Sequence, residues 1–153
     1  MTTHHTHWHV LLACPTEPLP LARRLHQLTK MHQALSALER DDQPTTEDWR
    51  VLSDCVNLTE TFVQQGVLSD HSGLLLDAIT ALALAGRRHA AGGQIRLDGP
   101  GMQSVRAVLE DYGLALELLP ARTVISGHRQ TEKRLQAILA GKRQPHDVEI
   151  ISL

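Results

Sequence analysis

The sequence is short of aromatic residues: Trp8, Trp49, Phe62 and Tyr112 are the only ones among its 153 positions. β-Strands favour aromatic and β-branched side chains, whereas helices favour leucine, alanine, arginine, glutamine and glutamate. The chain is rich in the second group, and 42% of its residues are hydrophobic, enough for one packed core. We therefore expect a single, mostly helical domain.

Cysteine is also scarce, since Cys14 and Cys55 are the only two. Their separation is neither a metal-ligand spacing nor part of a disulfide framework, and secreted domains held by disulfides are richer in cysteine. The start of the chain lacks the basic region and the long apolar run of a signal peptide. We expect two reduced thiols and a cytoplasmic protein.

No strong charge imbalance and no long apolar run is present. A net charge of -2 argues against strong, unselective binding to polyanions. The longest apolar stretch, residues 73–86, contains Asp77 and is shorter than the ~20 residues that cross a bilayer. The nucleophile elbow, Walker loop, dinucleotide fingerprint and metalloprotease histidine pair are missing as well. These observations predict a protein that neither enters a membrane nor acts as an enzyme.

Apolar residues that recur at intervals of three and four predict the first two helices. The first begins at Pro20, which suits an initial helical position, and ends near Arg40. The second is expected to be capped by Thr45 or Thr46 and to stop at Gly66. Both helices carry a buried stripe on one face.

A third helix is expected to start at a capping Ser69, Asp70 or Ser72 and to end at the glycine pair 92–93. Its residues 74–85 are apolar nearly all round. A helix that is hydrophobic on every side belongs in the middle of a bundle. We therefore predict that this segment forms the centre of the core.

The remaining helical pattern begins at a capping Asp98, after a possible short extended link at residues 94–97. Pro120 interrupts it, so either two helices or one kinked helix runs to Gly141, and we favour two. The sequence thus predicts an all-α, four- or five-helix bundle-like domain over residues 19–141. An irregular, histidine-rich segment (1–18), with a possible extended stretch, precedes this domain, and a tail (142–153) follows it.

Histidines are concentrated near the start of the chain. In an extended segment His5, His7 and His9 would project on one side, and imidazoles bind zinc or nickel. Structural zinc sites, however, usually recruit ligands from separated segments. We expect incidental metal binding here and no resident cofactor, with a small metal-binding protein or metal-dependent enzyme as an alternative.

Charges of opposite sign lie in two separate regions. Acidic residues around the second helix predict a partner-binding face, formed by Asp41, Asp42, Glu47, Asp48 and Asp54. Basic residues on the last helix could contact nucleic-acid phosphates, namely Arg122, Arg129, Lys133 and Arg134. Alternatively, the two faces could meet inside a homodimer or simply face solvent.

Three blocks resemble a family of small, largely uncharacterised helical proteins of proteobacterial phages and integrated mobile elements. The blocks are VLSDCVNLTETFVQQG, GLLLDAITALALAGRRHAAGGQIRL and VRAVLEDYGLALELL. Members are sometimes labelled Fis-like regulators. The resemblance implies a non-enzymatic accessory or regulatory protein that binds a host or element-encoded protein. A DNA-binding transcriptional regulator that uses the basic last helix is the alternative.

Overall fold

The computed structural model describes residues 16–40 and 43–141, and it is built from α-helices. Within these residues there are five helices and no strand, as the sequence predicts. The helices are α1 (Leu21–Arg40), α2 (Thr46–Gln64), α3 (Leu75–Ala90), α4 (Gly99–Leu118) and α5 (Ala121–Leu139). None of the described helices combines the length and the apolar character that a membrane span requires. The N-terminal histidines, Asp41, Asp42 and the tail lie outside the described residues.

Two predicted helix caps are confirmed. Thr45 and Asp48 form a reciprocal capping box: the Thr45 hydroxyl accepts from the Asp48 amide at 3.2 Å, and the Asp48 carboxylate accepts from the Thr45 amide at 2.9 Å. At the start of α4, the Asp98 carboxylate accepts from the Gly101 amide at 2.6 Å, with Pro100 in the first turn.

The predicted start of α3 is wrong by several residues. The helix begins at Leu75, and none of the three expected caps occupies its N-cap position. Two of them act from the preceding loop instead: the Ser72 hydroxyl accepts from the Leu74 amide at 3.2 Å, and the Asp70 carboxylate from the Leu75 amide at 3.4 Å. These side chains satisfy the first amides of the helix without belonging to it.

The helix at the centre of the fold is α2, which corrects the prediction for residues 74–85. Helix α2 packs against all four other helices, and its buried residues run without a break from Cys55 to Phe62. Helix α3 packs chiefly on α2 and α4, and Leu76 and Leu84 on its outer face are 60% and 50% exposed. An all-round apolar pattern cannot show whether a further layer covers the outer face.

A close approach joins α3 to the central helix. The Trp49 indole N–H donates to the Leu82 carbonyl oxygen at 2.8 Å. A Cβ on Gly86 would lie 2.9 Å from Cζ2 of Trp49, so this position has room for a glycine alone. The hydrogen bond and the close contact together orient the Trp49 ring, the largest buried side chain among the described residues.

The connections that follow α3 and α4 are both irregular. Residues 94–97 form a connection that is neither helix nor strand, and the Ile95 side chain within it is buried. Helix α4 ends at Leu118 and α5 begins at Ala121, with Pro120 at the N-cap position. The preference for two helices over one kinked helix is therefore confirmed.

Candidate functional site

Helices α1 and α4 lie side by side and run antiparallel. A methyl carbon of Leu28 lies 3.6 Å from where a Cβ on Gly113 would stand. Further along, the Arg106 guanidinium donates to the Glu39 carboxylate at 2.8 Å. Residue numbers thus rise on α1 as they fall on α4, and the first turns of α1 lie beside the last turns of α4.

This antiparallel pairing produces a surface that we call the leucine groove. A depression of about 560 Å³ between the two helices is lined by Leu28, Leu35, Leu109 and Leu114, among others. Leu21 and Leu25 lie on the same helical face of α1 as Leu28, and Leu118 follows Leu114 by one turn on α4. The four outermost leucines, at positions 21, 25, 114 and 118, are between 40% and 66% exposed.

The rim of the leucine groove carries negative charge. Glu110 and Glu117 line it from α4, and His32 lines it from α1. The one lining cation among the described residues, Arg106, is paired with Glu39. The groove therefore offers an apolar floor beside two carboxylates.

A second concave surface, which we call the ionisable cleft, lies between α1 and α5. Helix α5 packs principally on α2, so it stands apart from α1 across the cleft. Two cavities of about 410 and 380 Å³ adjoin there and share Gln27, Tyr112, His128 and Glu132 as lining residues. The cleft uses the opposite edge of α1 from the leucine groove, because Arg23, Gln27 and Lys30 lie on a different helical face from Leu28, His32 and Leu35.

The floor of the ionisable cleft is electrically neutral. Tyr112 and Cys55 lie close enough at the floor to influence each other's pKa. Burial raises the pKa of Cys55 to about 12, and it also raises the pKa of Tyr112 above the usual value. Both groups therefore keep their protons at neutral pH, and Cys55 is not an activated nucleophile.

The walls of the ionisable cleft carry charges of both signs. Arg23 and Arg129 line the first cavity, whereas Lys30 and Asp54 line the second, and Glu132 lies where the two meet. His128 borders both cavities. Partial burial, and then the positive charge of Arg23, lower the pKa of His128, so its imidazole is neutral at pH 7.

The three members of the predicted acidic face that the structure describes each have contacts of their own. Asp48 is engaged in the capping box of α2, and Glu47 lies 4.0 Å from the Arg50 guanidinium. Asp54 lines the ionisable cleft. The pKa of Asp54 is raised, first by partial burial and then by the charge of Glu47, against the lowering effect of Lys30 and Arg50.

Among the predicted basic residues of α5, Arg134 is held apart from the other three. The Arg134 guanidinium faces the protein interior, where it forms an ion pair with Glu60 and donates to the Asn57 carbonyl oxygen at 3.2 Å. Arg129 lines the ionisable cleft, while Arg122 and Lys133 are exposed. The expected exposed face for phosphates therefore lacks Arg134, because α2 holds its side chain.

Two features of the sequence point to these surfaces, beyond the stripes of buried residues. His128 and Glu132 are four residues apart, which puts them on one face of α5. Leu21 and Leu25 extend the α1 stripe beyond the residues that the core covers. Neither signal reveals which other helix completes the surface.

No group of three or more histidine, cysteine or acidic side chains suited to a metal ion occurs in the part of the chain that the structure describes. The candidate ligands His5, His7 and His9 lie outside it. Comparison of the chain with protein-family models, curated proteins and solved structures finds no match. The family resemblance in the sequence blocks therefore stays a prediction.

Proposed function

We propose that this chain is a non-enzymatic accessory or regulatory protein that binds an amphipathic, basic helix of a partner protein in the leucine groove. The observation that carries the proposal is the set of exposed leucines on two neighbouring helices, at positions 21, 25, 114 and 118, beside two carboxylates. In line with the family resemblance, we further propose that the partner is a host or element-encoded protein that a phage or mobile element encounters in the cytoplasm.

The apolar content of the groove supports a protein ligand. Single exposed leucines are ordinary, but contiguous apolar patches with a polar rim are typical of interaction sites. A helix laid in a groove buries apolar side chains at intervals of three and four residues. On α1, Leu21, Leu25 and Leu28 have these intervals, and on α4 Leu114 and Leu118 are four residues apart.

The charge of the rim selects the kind of partner. Glu110 and Glu117 favour lysine and arginine on the flanks of the incoming helix. A second copy of the chain is a poorer occupant, because a two-fold contact presents the same patch from both subunits. Such a contact would bring two pairs of carboxylates towards each other.

A DNA-binding function has less support. Arg134, one of the four basic residues, is paired with Glu60, and Arg129 lines the ionisable cleft. The net charge of -2 also weakens long-range attraction to phosphates.

Two designed peptides test the proposal directly. Each is a labelled helical peptide of about 18 residues with leucine at i, i+4, i+7 and i+11, flanked by lysine in one and by glutamate in the other. Fluorescence anisotropy should show saturable binding of the lysine peptide, at least about tenfold tighter than that of the glutamate peptide.

Surface variants locate the binding. Leu25→Gln with Leu114→Gln should weaken binding of the lysine peptide, whereas Leu76→Gln with Leu139→Gln, which alters two comparably exposed leucines elsewhere, should not. Reversing the rim with Glu110→Lys and Glu117→Lys should invert the peptide preference. Equal binding of both peptides, or equal loss in both leucine pairs, would overturn the proposal. So would sedimentation that shows a dimer dissociated by the groove variant alone.

A further inference from the structure

The ionisable cleft has the dimensions of a small-molecule site. Its two adjoining cavities, about 410 and 380 Å³, each fall within the range of ligand pockets. Such pockets combine apolar walls with a few placed polar groups. The cleft has this composition, and it lies on the opposite edge of α1 from the leucine groove.

The first cavity has an apolar floor, and two of its walls carry a cationic side chain. Its floor and sides include the buried Leu116, Tyr112 and Val124. Arg23 enters from α1 and Arg129 from α5, so the two guanidinium-bearing residues stand on opposite walls. His128 is neutral and adds no charge. Glu132 is the only lining residue of this cavity, among those described, that carries negative charge.

We propose that the first cavity of the ionisable cleft binds an organic anion with an apolar body, whose carboxylate lies between Arg23 and Arg129. A guanidinium forms charge-assisted and often bidentate hydrogen bonds with a carboxylate. The apolar body would cover Leu116, Tyr112 and Val124, which form a surface of matching character.

The other charges of the cleft define the end at which the anionic group binds. Asp54 and Glu132 line the second cavity, where only Lys30 carries positive charge among the lining residues described. A carboxylate is therefore favoured in the first cavity and disfavoured in the second. Arg129 can keep its present interactions and still contact a ligand, since a guanidinium has five N–H donors.

Three eight-carbon compounds distinguish the possible ligand chemistries: octanoate, octan-1-ol and octylammonium. They share an apolar body and differ in the head group. Tyr112 is the only tyrosine of the chain and lies on the floor of the cleft, so its ring ¹H–¹³C signals report on this site alone. Octanoate should shift these signals saturably, with an affinity at least about tenfold above that of the other two compounds.

Arginine variants with a matched control complete the test. Arg23→Gln and Arg129→Gln should each weaken octanoate binding severalfold, while Arg122→Gln, an exposed arginine of α5 outside the cavity, should leave it unchanged. Thermal unfolding checks that each variant is folded. Because Arg23 is exposed on α1, its variant alone carries the test if Arg129→Gln is unstable.

Several results would overturn this proposal. Equal affinity for octanoate and octan-1-ol would mean that the arginines bind no carboxylate, and a preference for octylammonium would assign the site to Asp54 and Glu132. If octanoate left the tyrosine signals unshifted, the cavity would not bind it. If Arg122→Gln lost as much octanoate affinity as the cleft variants, the effect would not come from the cavity. The Leu25→Gln and Leu114→Gln variant should still bind octanoate, which separates this outcome from that of the leucine groove.

Discussion

The Arg134 guanidinium of α5 forms an ion pair with the Glu60 carboxylate at the middle of the α2–α5 interface. The two side chains are only 16% and 11% exposed. Next to the pair, the hydroxyls of Thr61 and Thr131 share a hydrogen bond of 2.6 Å. A polar face of the central helix is thereby buried against a polar face of the last one.

Removing one member of this pair should destabilise the protein strongly. Arg134→Met leaves the buried Glu60 charge without its partner, and we expect the free energy of unfolding to fall by about 3 kcal/mol. Urea denaturation measures the change. The double variant Glu60→Leu with Arg134→Leu should lose less than the sum of its single variants, because no unpaired charge remains.

The exposed pair of Arg106 and Glu39 is the matched control. Its side chains are 44% and 39% exposed, so Arg106→Met should cost less than about 1 kcal/mol. Similar losses for Arg134→Met and Arg106→Met would show that solvent reaches both pairs equally, contrary to the described packing.

Gly127 allows the close approach of α5 to α2. A Cβ at this position would overlap the ring of Phe62 and would lie 3.1 Å from Cδ1 of Leu58. Gly127→Ala should therefore lower the free energy of unfolding by about 2 kcal/mol, since overpacking outweighs the gain in helix propensity. The urea midpoint is the measurement.

Gly113 provides a control of the opposite sign. Its nearest neighbour to a new Cβ is Leu28, at an ordinary contact distance of 3.6 Å. Gly113→Ala should stabilise the protein by about 0.5–1 kcal/mol through helix propensity. A stabilising Gly127→Ala would contradict the described approach of α5 to Phe62.

The thiol of Cys55 should react slowly in the native protein. Burial raises its pKa from an ordinary 9.0 to about 12, which lowers the thiolate fraction at pH 8 about a thousandfold. In a Cys14→Ser background, Ellman's reagent should modify native Cys55 about a thousandfold more slowly than the urea-unfolded chain. The rate should rise with pH, as the thiolate fraction does, and a native rate within tenfold of the unfolded one would contradict the prediction.

Helix ends were the most predictable part of the fold. The cap at Thr45 with Asp48, the cap at Asp98 and the break at Pro120 all depend on residues within a few positions of one another. Local hydrogen bonds and proline geometry decide such features. The start of α3 was predicted wrongly, because Ser72 and Asp70 accept hydrogen bonds from the amides at its start while they lie in the preceding loop.

The candidate surfaces were not predictable in the same way. The leucine groove needs Leu25 of α1 and Leu114 of α4, and the ionisable cleft needs Arg23 of α1 and Arg129 of α5. These pairs are far apart along the chain. Charge counted along single helices suggested an acidic and a basic face, but it could not show that Asp48 caps a helix, that Arg134 forms a buried ion pair or that Asp54 lines the cleft.

The sequence by itself determined that the chain forms helices and, at most ends, where they begin and stop, because the hydrophobic period and the caps act over a few residues. Tertiary structure alone decided that α2 lies at the centre. Its polar residues Glu60 and Thr61 look suited to solvent, yet they are buried because Arg134 and Thr131 of α5 satisfy them. The partners of a polar side chain belong to another helix, and no local pattern specifies them.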